Sequence, residues 1–219
     1  MNQNQSRAGN FFSCVIIPLI IWLISIISLF LLRIFGRWDL SGAVALVFFL
    51  LIPSIIERSN DVLGLKFKLK DNIFVFIVSF IVFLAIYLLF FILGDIKIPY
   101  VVNISPKFPD LDAIKWFLIF LFGVAIPEEI FFRGFIQGRM NLFFGKSFVL
   151  LGTRFGWGLL ISSILFMLIH LPQDITIIRF LTFFPGLVFG FIRERYGSIL
   201  PAVIFHAMSN TFMILIVDA

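Results

Sequence analysis

Between Ile126 and Phe135 the chain reads IPEEIFFRGF, two adjacent carboxylates and an arginine inside an apolar run. An ionised side chain at the centre of a membrane helix costs at least ~2.5–3.5 kcal/mol, so charges there mark a candidate site. On a helix Glu128 and Glu129 point about 100° apart. Arg133 follows Glu129 by four residues, which puts those two on one face as an ion pair. Pairing lets both stay buried. It also leaves Glu128 as a carboxylate with no neutralising partner, aimed at another surface. Pro127 cannot donate to the carbonyl of Gly123, so the helix is weakened just before the pair.

The chain has two histidines, both in apolar stretches. His170 ends FMLIH, with Phe166 one turn before it on the same face, and His206 begins HAMSN, with Asn210 one turn after it. A lone membrane histidine is often only a hydrogen-bonded contact between helices. Here both histidines and the paired glutamates fall in the same half of the chain, and together with Asn210 they could line one polar cavity. A carboxylate beside an imidazole can hold and deprotonate water. A second histidine with an asparagine supplies N–H donors for the oxyanion of amide hydrolysis. Glu128 and His170 activating water, opposite His206 and Asn210, would make a peptidase. The same residues could instead bind zinc through Glu128, His170 and His206, since two histidines and a glutamate form a familiar ligand set, though the spacing carries no ligand signature. A third use is proton relay or transport through the same cavity. Transporters usually show two related halves, whereas these polar residues are confined to one. A fourth reading is a non-catalytic immunity or scaffold protein with a vestigial cavity.

The rest of the chain narrows the setting. Of 219 residues, 61% are hydrophobic and 13% charged, against about 45–50% and about 25% in soluble domains. This composition describes an all-α polytopic membrane protein. The net charge of +5 is accounted for by basic loops on one side of a membrane and gives no reason to expect nucleic acid. Cys14 is the only cysteine, so no disulfide within the chain is expected. No G-x-S-x-G, H-E-x-x-H, P-loop or dinucleotide fingerprint occurs.

A membrane helix needs roughly 20 apolar residues. About seven stretches come close: Phe11–Leu32, Leu40–Ile56, Ile73–Gly94, Ala113–Gln137, Phe155–Leu171, Ile175–Ile192 and Ser198–Val217. The first is too long for a signal-peptide core and reads as an uncleaved span. Trp38, Trp116 and Trp157 lie near span ends, as interfacial aromatics do. Asp61–Asp71 alternates lysine with apolar residues and suits an interfacial stretch. Asp95–Asp112, with three prolines, is expected to be irregular. Arg7 and the loops after the second, fourth and sixth stretches carry ten Lys and Arg; the other side carries six. The positive-inside rule then puts the N-terminus in the cytoplasm.

The residues also carry a resemblance. EEIFFR is similar to the E-E-x-x-x-R motif of the type II CAAX prenyl endopeptidase family, also called CPBP or Abi. FMLIH resembles its F-x-x-x-H motif and HAMSN its H-x-x-x-N motif, in the family's order and on separate apolar segments. The resemblance covers about Ala113 to Val217. It implies an intramembrane protease core over 112–219, with the catalytic cavity within the C-terminal helices, preceded by helices 1–111 that carry no signature. It implies an intramembrane endopeptidase in the style of CAAX-processing or bacteriocin-immunity members, acting near the membrane surface on a membrane-associated peptide or protein. It also implies a multi-pass protein of a prokaryotic cell membrane. Glu128 and His170 would position the water, and His206 and Asn210 would form the oxyanion hole. Glu129, Arg133 and Phe166 would support the site. The family is often labelled metallopeptidase; a glutamate-activated water without cofactor is the expectation here, with zinc as the alternative. His170 lies near the end of its stretch and Glu128 nearer mid-span, so their meeting requires tilt or a broken helix.

Overall fold

The computed structural model describes residues 11–98, 102–107 and 110–218. Arg7, Pro99 and Pro109, used in the charge and loop arguments above, lie outside the described residues. Long runs of Leu, Ile, Phe and Val form α1 (Phe12–Ile34), α2 (Trp38–Ile56) and α4 (Leu69–Leu93), three helices long and apolar enough to cross a membrane. Only 33%, 11% and 17% of their most apolar windows are buried within the protein. The remainder is greasy surface of the kind a bilayer covers. Two further apolar helices are shorter, α6 (Trp157–Leu168) and α9 (Leu200–Ile216). Between them lie α7 (Ile177–Leu181) and α8 (Phe183–Tyr196). The stretch expected as one span over Ile175–Ile192 is therefore two helices. The Thr182 hydroxyl donates to the Arg179 carbonyl at 2.6 Å where they meet.

The fourth stretch becomes α5 (111–144), a continuous helix that runs beyond the expected end at Gln137. It widens into π-helix at Leu121–Ala125 and again at Ile130–Gln137. Such bulges are rare and concentrate at functional sites. Here they bracket Pro127, Glu128 and Glu129.

Hydrogen bonds draw the loops after α2, α5 and α8 together at one end of the molecule. The Arg139 guanidinium donates to Glu57 at 3.0 Å and to the Ser13 carbonyl at 2.7 Å. Lys68 donates to the Tyr196 carbonyl and the Ser198 hydroxyl to the Lys66 carbonyl, both at 2.6 Å. The stretch read as interfacial, Asp61–Asp71, is only partly so. The short α3 (Asn60–Leu63) docks on α5, where Gly134 and Gly138 bring the helix against the carbonyls of Leu63 and Val62. Small residues four apart permit this close approach. Leu65, Phe67 and Leu69 remain exposed.

Among the described residues there are also five short strands. At the other end of the molecule β1 (Ile96–Ile98) and β2 (Val102–Ile104) pair antiparallel, and β5 (Val217–Asp218) pairs with β2. Within the connection expected to be irregular, 96–98 and 102–104 are thus paired strands, as the alternation of β-branched residues in IKI and VNI allows. After α5, β3 (Phe148–Leu150) and β4 (Thr153–Phe155) form a second hairpin. Its two turn residues, Leu151 and Gly152, have φ of 49° and 73°, the twist that two-residue hairpins favour. Arg195 donates to the Leu151 carbonyl at 2.7 Å and holds this tip to α8.

The main core is aromatic and centred on α5. Phe131, Phe132 and Phe135 are fully buried, with Phe49 of α2 stacked 4.8 Å from Phe131. Ile21 and Leu29 of α1, Phe166 of α6 and Phe189 of α8 join the same cluster.

Candidate active site

The site is built along one stripe of α5. Glu129, Arg133 and Gln137 follow one another at four-residue intervals and are completely buried, with Asn141 continuing the row. The Arg133 Nη1 to Glu129 Oε1 distance is 3.3 Å, the ion pair expected from the spacing. Arg133 also donates to the Gly186 carbonyl at 3.1 Å, and its guanidinium lies 4.2 Å from the centre of the Phe166 ring. A desolvated cation gains most from such a ring face. One turn on, Gln137 donates to the Gly190 carbonyl at 3.1 Å and to Glu194 at 2.6 Å. Gly190 has no side chain to crowd Gln137, and Gly186 none to crowd Phe166 and Ser163. A Cβ on Gly190 would lie 2.9 Å from Gln137 Oε1.

His206 lies between the two glutamates. Its Nδ1 is 2.9 Å from Glu129 Oε1, and its Nε2 is 3.8 Å from Glu128 Oε2. Phe189 stacks on the ring at 4.5 Å. A carboxylate can only accept, so Nδ1 carries the proton and donates to Glu129. That leaves Nε2 beside Glu128, beyond direct hydrogen-bond reach. The carboxylate oxygens Glu128 Oε2 and Glu129 Oε2 are buried without a hydrogen-bond partner in the protein. His206 and Glu128 were expected on opposite sides of the cavity; they adjoin.

His170 lies two residues beyond the end of α6, in a turn. The helix therefore breaks where the sequence argument required tilt or a break. Nδ1 of His170 is 2.7 Å from the Phe166 carbonyl, and its ring meets Phe166 edge-on at 4.7 Å. A carbonyl only accepts, so Nδ1 is protonated and Nε2 is the remaining acceptor of the ring. Phe166 thus contacts His170, Arg133 and, at 5.9 Å, His206.

Glu128 and His170 share a cavity of about 170 Å³. Gly123, Val124, Ile169 and Gln173 form its wall on their side. The facing wall comes from helices without any motif: Leu29 of α1, and Trp38, Ser41, Gly42, Ala45 and Phe49 of α2. The motif residues do lie in the C-terminal helices, but half of the enclosure does not. Asn210 is half-buried on α9 and does not line this cavity. Gln173, Gln137 and Glu194 were not singled out in the sequence. Gln137 could have been, since it extends the four-residue stripe of Glu129 and Arg133.

Glu194 closes the polar row at the loop end. It accepts from Gln137, from Asn141 at 2.7 Å and from Arg193 at 3.0 Å, and it pairs with Lys146. Burial alone would raise its carboxyl, but Arg193, Lys146 and Gln137 outweigh that and hold it below the usual carboxylate range.

Zinc would need Glu128, His170 and His206 converging on one point. Among the described residues no three His, Cys, Asp or Glu side chains form a group that could hold a metal ion. His206 and His170 donate Nδ1–H to Glu129 and to the Phe166 carbonyl and keep Nε2 unspent, an orientation that metal-bound histidines also use, so it is the lack of convergence that decides the fit. The side chains as placed do not fit a zinc site.

No curated protein and no solved structure matches the chain. Residues 110–212 match the family model described as type II CAAX prenyl endopeptidase Rce1-like, a class whose activity is CAAX-type intramembrane proteolysis. That segment, somewhat under half of the chain, contains Glu128, Glu129, Arg133, His170, His206 and Asn210, and over it the chain is similar to the Rce1-like type II CAAX prenyl endopeptidase family.

Proposed function

We propose that the protein is an intramembrane endopeptidase that hydrolyses a peptide bond of a membrane-associated substrate with a water activated by Glu128. The observation that carries this reading is the unpartnered, buried Glu128 Oε2 in a cavity shared with His170. Glu128 takes a proton from water as the water oxygen attacks the scissile carbonyl, and His170 Nε2 holds the water. Glu129 keeps the His206 ring oriented by accepting its Nδ1–H. Once protonated at Nε2 as well, the ring offers Nε2–H to the oxyanion. Asn210, one turn later on α9 and outside the cavity lining, is the second donor that the family's motif implies. When the tetrahedral intermediate collapses, the C–N bond breaks and Glu128 returns its proton to the departing amine.

Peptide cleavage by purified protein in lipid nanodiscs tests this. Glu128→Gln should lower kcat by about 10²–10⁴, the usual worth of a general base, while the melting temperature holds. Turnover close to wild type would remove Glu128 from the role. Asn210→Ala should cost about 10²–10³ in kcat with KM little changed; full kcat would leave His206 as the sole donor. Activity should survive strong chelation. Loss on chelation and recovery with zinc would replace this mechanism with a metal-dependent one.

A further inference from the structure

The glycines among the described residues divide by cause. Gly36, Gly64, Gly94, Gly145, Gly152 and Gly197 have positive φ between 62° and 73°, where a side chain is strained. Gly134, Gly138, Gly156, Gly158, Gly186 and Gly190 have ordinary backbone, but a Cβ on any of them would crowd a neighbouring atom at 3.3 Å or less. Gly42 and Gly123 fit neither group. Their φ is ordinary, and a Cβ on either would meet nothing within 4 Å.

Both are inside helices, where glycine is less favourable than alanine, and neither conformation nor packing requires it. Membrane helices do use glycine for close contact between helices, but a packing glycine would show a neighbour. What the two share is location: each lines the cavity that holds Glu128 and His170. Gly123 precedes Glu128 by five residues on α5, and Gly42 stands on the α2 wall.

We infer that Gly42 and Gly123 are the size gauge of the site. The space in front of them is kept for a substrate side chain next to the scissile bond. At about 170 Å³ the cavity resembles in size an apolar cavity that takes one benzene, about 150 Å³. It admits one ring or branched side chain beside Glu128. Gly42 lies outside the family match over 110–212, so this gauge belongs partly to the part of the chain without motifs. The substrate role rests on the hydrolase reading above; the slot itself does not.

N-acetyl-leucine methylamide and N-acetyl-alanine methylamide carry one peptide unit each and differ only in side-chain size. Titrated into the full protein in nanodiscs and followed by saturation-transfer NMR, the leucine amide should bind about tenfold tighter or more, the scale of a filled against an unfilled pocket. Gly42→Leu and Gly123→Leu should each reduce that preference to about twofold or less. Gly42→Ala and Gly123→Ala should keep or raise the melting temperature, while Gly138→Ala, whose Cβ has no room, lowers it. Equal binding of the two amides by wild type, an unchanged preference in both leucine variants, or destabilisation by both alanine variants would overturn the gauge. Cleavage of a peptide pair differing at the same position reports on the substrate role. Preserved amide discrimination without any cleavage would reject the hydrolase reading and keep the slot.

Discussion

Two long helices of this protein, α4 and the middle of α5, show opposite faces of membrane chemistry. α4 runs 25 residues and buries only Asn72, Val75, Ser79 and Tyr87, three of them polar. Most of its Phe, Ile and Leu side chains are exposed. In α5 every residue from Glu129 to Gly138 is buried, charged ones included. A bilayer makes exposed apolar surface ordinary, so hydropathy along α4 reports the solvent. Charge along α5 is paid for by specific partners, so it reports the site. The contrast can be tested at the places where each helix departs from what a soluble protein would do.

The largest effect should come from Glu129 and Arg133. Each is fully enclosed, and removal of one partner leaves the other charge without compensation, at a cost of roughly 3–5 kcal/mol. Arg133→Met and Glu129→Gln should each lower the melting temperature strongly in nanodiscs. The double variant should recover part of that loss, because no orphan charge remains. A double variant worse than both single ones would mean that the two side chains are not acting as a pair.

Glu194 sharpens the comparison at the rim of the same row. Its carboxyl is held below its ordinary value of 4.5 in the folded protein. A depressed folded value means that the unfolded chain takes up the proton first. The stabilisation is therefore complete above the ordinary carboxylate range and is lost as pH falls through the folded value. Thermal melts of wild type should lose stability below about pH 4.5. Glu194→Gln should melt lower at neutral pH and show a smaller loss on acidification. Parallel pH curves for the two proteins would place the acid-sensitive carboxylate elsewhere.

Much of α5 was legible because helical periodicity is local. The four-residue interval from Glu129 to Arg133 gave a pair that the structure contains at 3.3 Å. The motif histidines were legible as polar outliers in apolar runs, but their arrangement was not. That His206 lies between Glu128 and Glu129 depends on how α9 docks against α5, which no spacing within either helix encodes. The π-helical turns around Glu128 shift side chains away from the ideal 100° step and were equally invisible. The α2 wall of the cavity, from Trp38 to Phe49, had no signature because its contribution is shape: small or apolar residues that leave room. The strands at 96–98 and 102–104 were hidden by their shortness and by the prolines in that stretch of sequence.

The smallest effect, and the one that tests the comparison most directly, belongs to α4. In a soluble protein an isoleucine-to-alanine change is feared and a serine-to-leucine change in a greasy helix is tolerated. Here the order should invert. Ile77 is 50% exposed and Ser79 is 1% exposed. Ile77 meets solvent that is itself hydrocarbon, so Ile77→Ala exchanges one set of dispersion contacts for another and should stay within about 0.5 kcal/mol, as surface changes usually do. Ser79 is enclosed and turns its hydroxyl back to the Val75 carbonyl at 2.6 Å. On the same helix, Phe83 packs on Phe205 and Phe212 of α9 at 5.3 and 5.1 Å. Ser79→Leu forces a large side chain into that closed surface, an overpacking that costs about 1–3 kcal/mol. Because α9 carries His206, the strain should also reach the site, and kcat should fall with the melting temperature in Ser79→Leu alone. If Ile77→Ala proves the more damaging of the two, the outward face of α4 is covered by protein, and hydropathy along it does not report lipid.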